Sequence, residues 1–269
     1  MTAAMALRFT ILGCGSSGGV PRLGGHWGAC DPSDPRNRRR RCSLLVERTG
    51  PGGTTRVLID TSPDMRQQLL DAGVGALDGV VWTHAHADHV HGIDDLRMIV
   101  FNSRRLLDAW ADEPTHAALR TRFGYAFETP PGSNYPPILV RHPLDGPIEV
   151  QGEGGPVAIE PIPVGHGDVD ALGVRVGGLA YMPDVKAIPD AALPQLAGLD
   201  VWILDALRRA PHPSHLCLEE ALAWIARMAP RRAVLTNMHV DLDWATVDGE
   251  TPANVTPAHD GMVIELPDV

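Results

Sequence analysis

Thr83-His84-Ala85-His86-Ala87-Asp88-His89 is the stretch that decides the fold, because it packs four metal-ligating side chains into six residues. It follows Gly79-Val80-Val81-Trp82, an apolar run with the length and composition of a buried strand. The ligands therefore fall just past a strand end, where the sheet holds the backbone and the loop beyond can bend several side chains towards one point. Imidazole and carboxylate together suit zinc, manganese or iron. An exposed polar loop with incidental histidines is the plain alternative, and the matching ligands found further along the chain count against it.

Working outward to the N-terminal side, Leu7-Arg8-Phe9-Thr10-Ile11-Leu12 alternates as a strand does and runs into the small-residue loop Gly13-Cys14-Gly15-Ser16-Ser17-Gly18-Gly19-Val20-Pro21. Glycine there permits close backbone approach, and the loop amides with Ser16 and Ser17 are candidate donors to an anion. The loop lacks the Gly-Lys-Ser/Thr of a P-loop. Residues 23–41 are irregular and hold the densest basic run, Arg36-Asn37-Arg38-Arg39-Arg40-Arg41. It reads either as a solvated loop or as a substrate-anion site with Arg38 and Arg39 as contacts. Cys42–Glu47 and Thr55–Asp60 are strand candidates joined by the hairpin signal Gly50-Pro51-Gly52-Gly53, and Ser62 with Pro63 opens a helix over 64–72 that Gly73 closes.

On the C-terminal side, His91–Phe101 reads as a helix whose positive end would favour a nearby anion. Between residues 102 and 147 the pattern yields a helix over Pro114–Phe123 and a Pro-rich loop, Thr129–Pro137, expected to cover one side of the site. Strands follow at Ile148–Val150, Val157–Val164, Leu172–Val176 and Gly178–Met182. Val201–Asp205 and Ala233–Asn237 then bracket an amphipathic helix, Leu216–Ala229, stopped by Pro230. Two strand-rich halves, each with helices, predict two sheets face to face with helices outside: an α/β, four-layer αββα sandwich forming one domain over residues 1–269.

Later strands of the second half end in further ligands: His166 after Val164-Gly165, Asp184 after Met182-Pro183, and His239 after Asn237-Met238. With the opening stretch they complete two metal sites. His84, His86 and His166 are assigned to one ion, Asp88, His89 and His239 to the other, with Asp184 bridging. Two divalent ions about 3.5–4 Å apart can hold a hydroxide and clamp the oxygens of a phosphoryl centre, which favours hydrolysis.

In this order, His84-Ala85-His86-Ala87-Asp88-His89, His166, Asp184 and His239 resemble the dinuclear site of the metallo-β-lactamase superfamily, and the resemblance covers most of the chain. The Gly13–Pro21 loop, Asp205, and His215 followed by Ala221 narrow it to the phosphodiesterase branch, which includes tRNA 3′-processing endonucleases and phosphoribosyl cyclic phosphodiesterases. The resemblance implies the metallo-β-lactamase fold. It also implies that His215, outside the metal shell, acts on the phosphate or the leaving group, oriented by Asp205. Chemistry agrees: a leaving alkoxide needs a proton, histidine titrates near working pH, and a carboxylate partner fixes its tautomer. In Pro211-His212-Pro213-Ser214-His215, His215 is preferred over His212. Asp88 or Asp184 would orient the nucleophile. The cysteines and histidine that hold an extra zinc in the cyclic phosphodiesterases are not matched by Gly24–Cys30 and Leu242, and the long arm of the tRNA enzymes has no counterpart.

The bulk numbers set the remaining bounds. At 269 residues and 44% hydrophobic content the chain can bury a substantial core. A formal charge of −10 disfavours broad binding to nucleic acid or anionic membrane. Apolar runs are of strand length only, and Met1–Ile11 lacks the features of a secretory signal, so a cytoplasmic chain with its four cysteines reduced is expected. The expected function is a dinuclear-metal phosphodiesterase, with zinc, manganese or iron, acting on a small phosphate ester such as a cyclic sugar phosphate or nucleotide. That ester is the expected partner, and a homodimer is allowed. The alternatives are an RNA-processing endonuclease of the tRNA 3′-end type, a thioester or lactam hydrolase, and a non-catalytic binding protein.

Overall fold

The computed structural model describes residues 6–267. Met1–Met5, the start of the stretch read for a secretory signal, lie outside the described residues. In chain order the strands and helices are β1 (Ala6–Gly13), β2 (Ser43–Gly50), β3 (Gly53–Ile59), α1 (Met65–Asp71), β4 (Gly79–Val81), α2 (Ala87–Val90), α3 (Leu96–Ser103), β5 (Leu107–Ala111), α4 (Glu113–Phe123) and β6 (Leu139–Pro143). They continue with β7 (Ile148–Val150), β8 (Val157–His166), β9 (Val169–Val176), β10 (Leu179–Met182), β11 (Val201–Asp205), α5 (Leu218–Met228), β12 (Arg232–Thr236), α6 (Trp244–Glu250), β13 (Val255–Pro257) and β14 (Met262–Pro267). The strands form two seven-stranded mixed sheets, ordered β14-β1-β2-β3-β4-β5-β6 and β13-β12-β11-β10-β9-β8-β7.

The chain divides into two compact units. The first contains residues 6–12, Ser43–Ile159 and residues 263–267. Its β2–β3 hairpin pairs Gly50 with Gly53 around the two-residue turn Pro51-Gly52. Glycine at position 50 is required by packing, since a Cβ there would lie 2.4 Å from the Gly154 carbonyl oxygen. From β3 onward neighbouring strands are parallel, so each pair needs a crossover, supplied by α1, by α2 with α3, and by α4. One apolar cluster fills this unit, built on Leu45, Leu58, Val80 and Trp82 from the sheet and Met65, Leu69, Ile93, Leu96 and Ile99 from the crossovers. At ~1.5–3 kcal/mol for each large apolar side chain removed from water, this cluster is what keeps the strand ends in place.

The helix expected over His91–Phe101 is interrupted. Ala87–Val90 makes one short turn, Ile93–Asp95 a 3-10 turn, and the regular helix starts only at Leu96. The cause is Gly92, whose N–H donates to the Thr61 carbonyl (2.9 Å) and where a Cβ would sit 2.1 Å from the Ser62 oxygen. A chain pressed that closely against another cannot continue as a helix. Strands β5, β6, β13 and β14 and helix α6 had no sequence counterpart in the reading above.

The second unit contains Gly13–Cys42 and Glu160–Met262. Strand β8 starts in the first unit and runs into this one, where it pairs antiparallel with β9, and β9 with β10. Strands β10, β11, β12 and β13 are parallel, with registers Met182↔Leu204, Asp205↔Thr236 and Leu235↔Pro257. Helix α5 buries Leu218, Ala221 and Ile225, the i, i+3, i+7 stripe of an amphipathic helix, and ends with Ala229 in the left-handed conformation before Pro230. Among the described residues no helix is long and apolar enough to cross a membrane.

Candidate functional site

Parallel strands present their carboxyl ends on one edge of a sheet, the usual place for ligands in such folds. In the first unit β3 and β4 end side by side, Ile59 opposite Val81. Just beyond, Asp60 turns the chain through a left-handed conformation (φ 65°), which aspartate tolerates better than most residues. Fully buried, its carboxylate accepts from Thr83 N (2.8 Å), Thr83 Oγ1 (2.8 Å) and His89 Nδ1 (2.8 Å). Because the Thr83 hydroxyl donates to Asp60, its oxygen accepts from His84 Nδ1 at 3.0 Å. Both imidazoles then carry their proton on Nδ1, leaving the Nε2 lone pair for a Lewis acid. The His84 ring centre lies 4.6 Å from that of His86 and 4.3 Å from that of His89, and an Asp88 carboxylate oxygen lies 3.6 Å from His89 Nε2. Within this unit, then, the four candidate ligands of the opening stretch lie close together. Asp60, which fixes two of them, went unread in the sequence; its signal was a lone carboxylate at the end of the preceding strand.

In the second unit the parallel edge carries the rest. His166, 1% exposed at the end of β8, donates from Nδ1 to the Ser214 carbonyl (2.7 Å), again leaving Nε2 as the acceptor, 3.4 Å from Asp184 Oδ2. Gly167 makes that approach fit, since a Cβ there would fall 2.7 Å from Ser214 Cβ. Asn237, left-handed at φ 59° past β12, donates from Nδ2 to Asp184 Oδ1 (3.1 Å) and Asp205 Oδ1 (3.3 Å). The other Asp205 oxygen accepts from His215 Nδ1 (2.8 Å) and Val185 N (3.1 Å). Burial pushes the Asp205 carboxyl up to about 7, against the lowering effect of His215 and of the Val185 amide. The His215 ring centre stands 4.5 Å from that of His166. His212 does something different, accepting from Ser214 N at 3.3 Å and so closing its own turn.

His239 donates from Nδ1 to Asp241 Oδ1 (3.0 Å), and its Nε2 accepts from the Arg22 guanidinium. Its pKa is held down by burial and by the positive charge of Arg22, partly offset by Asp241. Asn237, Asp241 and Arg22 were also unread in the sequence. In each unit the histidines share one feature, His84 and His89 in the first and His166 and His239 in the second: Nδ1 is bonded to a protein oxygen and Nε2 is left as the acceptor. Beside the carboxylate of Asp88 in the first unit and of Asp184 in the second, such donors suit a divalent metal ion.

The candidate anion contacts come out differently. Arg39 is 2% exposed, and its guanidinium donates to the carbonyls of Leu242 (2.7 Å) and His239 (3.3 Å) and to Asn37 Oδ1 (3.0 Å). It is a clamp on the loop that carries His239, which corrects its assignment as a substrate contact. Arg36 pairs with Asp34 over the Trp244 ring, Arg40 pairs with Asp260, and Arg38 is exposed over Trp27. The glycine loop is likewise largely structural. The amides of Gly15, Ser16 and Val20 donate to the carbonyls of Arg40, Met238 and Arg39, so they are not the anion donors expected; Ser16 is buried and Ser17 exposed. A Cβ at Gly15 would lie 2.8 Å from the Arg39 carbonyl oxygen, which explains glycine there.

A sequence model of the beta-lactamase superfamily domain matches residues 55–238, and the chain belongs to that superfamily. Within it the chain groups with the metallo-β-lactamase phosphodiesterase branch, as its residues suggested. The crystal structure of a new diphosphatase from the PhnP family superposes with a TM-score of 0.87 at 35% identity, covering 98% of each chain, so the α/β metallo-β-lactamase fold expected from the sequence is the fold observed. An octanoyltransferase of Porphyromonas gingivalis is 34% identical over 95% of this chain, and the chain spans about half (51%) of that relative's length. A coenzyme PQQ synthesis protein B of Xanthomonas campestris pv. campestris is 25% identical, over 97% of this chain and 100% of the relative.

Proposed function

We propose that this chain is a metal-dependent phosphodiesterase acting on a small phosphate ester, a cyclic sugar phosphate or nucleotide, with residues 1–269 working as one hydrolase domain. The observation that carries the reading is the buried Asp205 carboxylate 2.8 Å from His215 Nδ1. Acyl hydrolysis at a metal centre does not require that pair; expulsion of an alkoxide does require a proton donor. On this reading His84, His86 and His166 would hold one ion, Asp88, His89 and His239 a second, and Asp184 would serve both. Zinc or manganese suits this set, and iron is the third choice. When bound, such ions make water nucleophilic near neutral pH and polarise the phosphoryl oxygens.

The chain's own residues supply the remainder. Asp88 accepts the hydrogen bond that orients the attacking water. His215, with Nδ1 tied to Asp205, presents Nε2 to the departing oxygen and gives it the proton. Asn237 bonds both Asp184 and Asp205 and so keeps the ligand carboxylate and the carboxylate behind His215 in fixed relation. The four cysteines, Cys14, Cys30, Cys42 and Cys217, are buried thiols, which supports the reducing, cytoplasmic setting expected from the sequence.

The test is His215→Ala. Metal content should stay at the wild-type level while turnover of bis(p-nitrophenyl) phosphate drops by roughly 10²–10⁴-fold, the usual worth of a general acid. Wild-type turnover in that variant, or hydrolysis of thioesters in preference to diesters by the unaltered protein, would end the reading.

A further inference from the structure

Among the described residues of the second unit, Arg22 is a cation whose position nothing above explains. Arg22 lies in a loop closed by its own carbonyl, which accepts from Gly25 N (3.0 Å) and His26 N (3.2 Å), while its N–H donates to His26 O (2.9 Å). The loop is exposed, and Gly24 and Gly25 adopt φ of 83° and 77° with nothing within 4 Å of where a Cβ would stand. Nη2 of Arg22 donates to Nε2 of His239, the atom that the Asp241 hydrogen bond leaves with a lone pair. Among the described residues no carboxylate pairs with Arg22. Arg208 faces the same imidazole, but its Nε and Nη2 donate to the carbonyls of Ala210 (3.1 Å) and Pro211 (2.7 Å).

The guanidinium therefore lies against a candidate ligand histidine, and the closed loop holds its α-carbon there. Five N–H donors, a permanent charge and no carboxylate partner are what a phosphate recognises, and arginine offers them as a planar fork. Resting on the phosphodiesterase reading, we propose that Arg22 is the substrate-anchoring residue of this enzyme: its guanidinium, set beside His239 Nε2 with no carboxylate partner among the described residues, holds the phosphate oxygens. Its work is ground-state binding, which selects substrates with an oxygen-rich anionic group and separates its effect from that of His215.

Isothermal titration of wild type, Arg22→Ala and Arg22→Lys tests this, first with Mn²⁺ alone and then with inorganic phosphate on the Mn²⁺-loaded proteins. Arg22→Ala should bind Mn²⁺ as tightly as wild type, because arginine is not a metal ligand, yet bind phosphate roughly tenfold or more weakly, with KM for a diester rising more than kcat falls. Arg22→Lys should fall between them. Phosphate affinity and KM within about twofold of wild type in Arg22→Ala would overturn the proposal, since that is below a single charge-assisted hydrogen bond. Weaker Mn²⁺ binding in that variant would overturn it too, making Arg22 a support for His239. Failure of the phosphodiesterase reading looks different: the unaltered protein would bind Mn²⁺ but neither phosphate nor diester, and the proposal would fall with it.

Discussion

Asp60 accepts three hydrogen bonds on two oxygens and thereby sets the proton position on His84 and His89 at once. Replacing it by asparagine keeps the shape but puts an N–H where Thr83 or His89 needs an acceptor, so one imidazole must flip its tautomer and present N–H to the metal. Partners of this kind are worth about 10–100-fold in metal affinity, and Asp60→Asn should show a loss in that range by competition with a chelator. An unchanged affinity would mean that the histidines are oriented by packing alone. At this scale the sequence was only half legible. Histidines two and three residues apart after an apolar run announce themselves. Asp60 and Asn237 act through left-handed turns at φ 65° and 59°, and a backbone conformation leaves no mark on a one-letter string when the residue is not glycine.

Among the elements, the crossover after β4 shows how an approach of two chains overrides a helical pattern. Thr61 N donates to His89 O (2.8 Å) and Gly92 N to Thr61 O (2.9 Å), so residues 60–62 and 89–92 are laced together around the ligands. Gly92→Ala would force a methyl group to 2.1 Å from the Ser62 oxygen, which neither backbone can yield without breaking that lacing. We expect a lower thermal midpoint, a loss of roughly 1–3 kcal/mol as for other forced insertions into packed regions, together with weaker metal binding. A midpoint equal to wild type would show the contact to be soft. The strands that were legible, β1 to β4 and β7 to β12, alternate or run apolar; β5, β6, β13 and β14 are short or carry charge and proline, as in Leu139-Val140-Arg141-His142-Pro143, and fell below recognition.

For the molecule as a whole, the candidate ligands follow strand ends in both sheets, which is why a reading by strand ends could propose them without knowing the topology. That β14 returns to the sheet of β1 could not be read, because strand pairing across the full length of the chain leaves no local pattern. Stability has its own pH signature away from the site. His116, 3% exposed on α4 with its ring edge-on to Phe127, has its pKa lowered by burial and by Arg141 and Arg120, against the opposing Glu113. A histidine that resists protonation when folded contributes stability that is complete above its unfolded pKa of about 6.5 and declines as pH falls below it. His116→Phe should therefore narrow the difference in denaturation midpoint between pH 7.5 and pH 5.5, and an undiminished difference would assign the acid sensitivity to other groups.

The burial of all four thiols carries a practical consequence. Burial also raises the pKa of Cys14 and Cys30, so these sulfurs are poor nucleophiles as well as sheltered ones. Leu23, fully exposed beside Arg22, is a position where an introduced cysteine would take up a fluorophore or spin label ahead of the four native ones. The wild-type background can thus serve as its own blank, and the surroundings of the Arg22 loop can be followed spectroscopically without first stripping the protein of its cysteines.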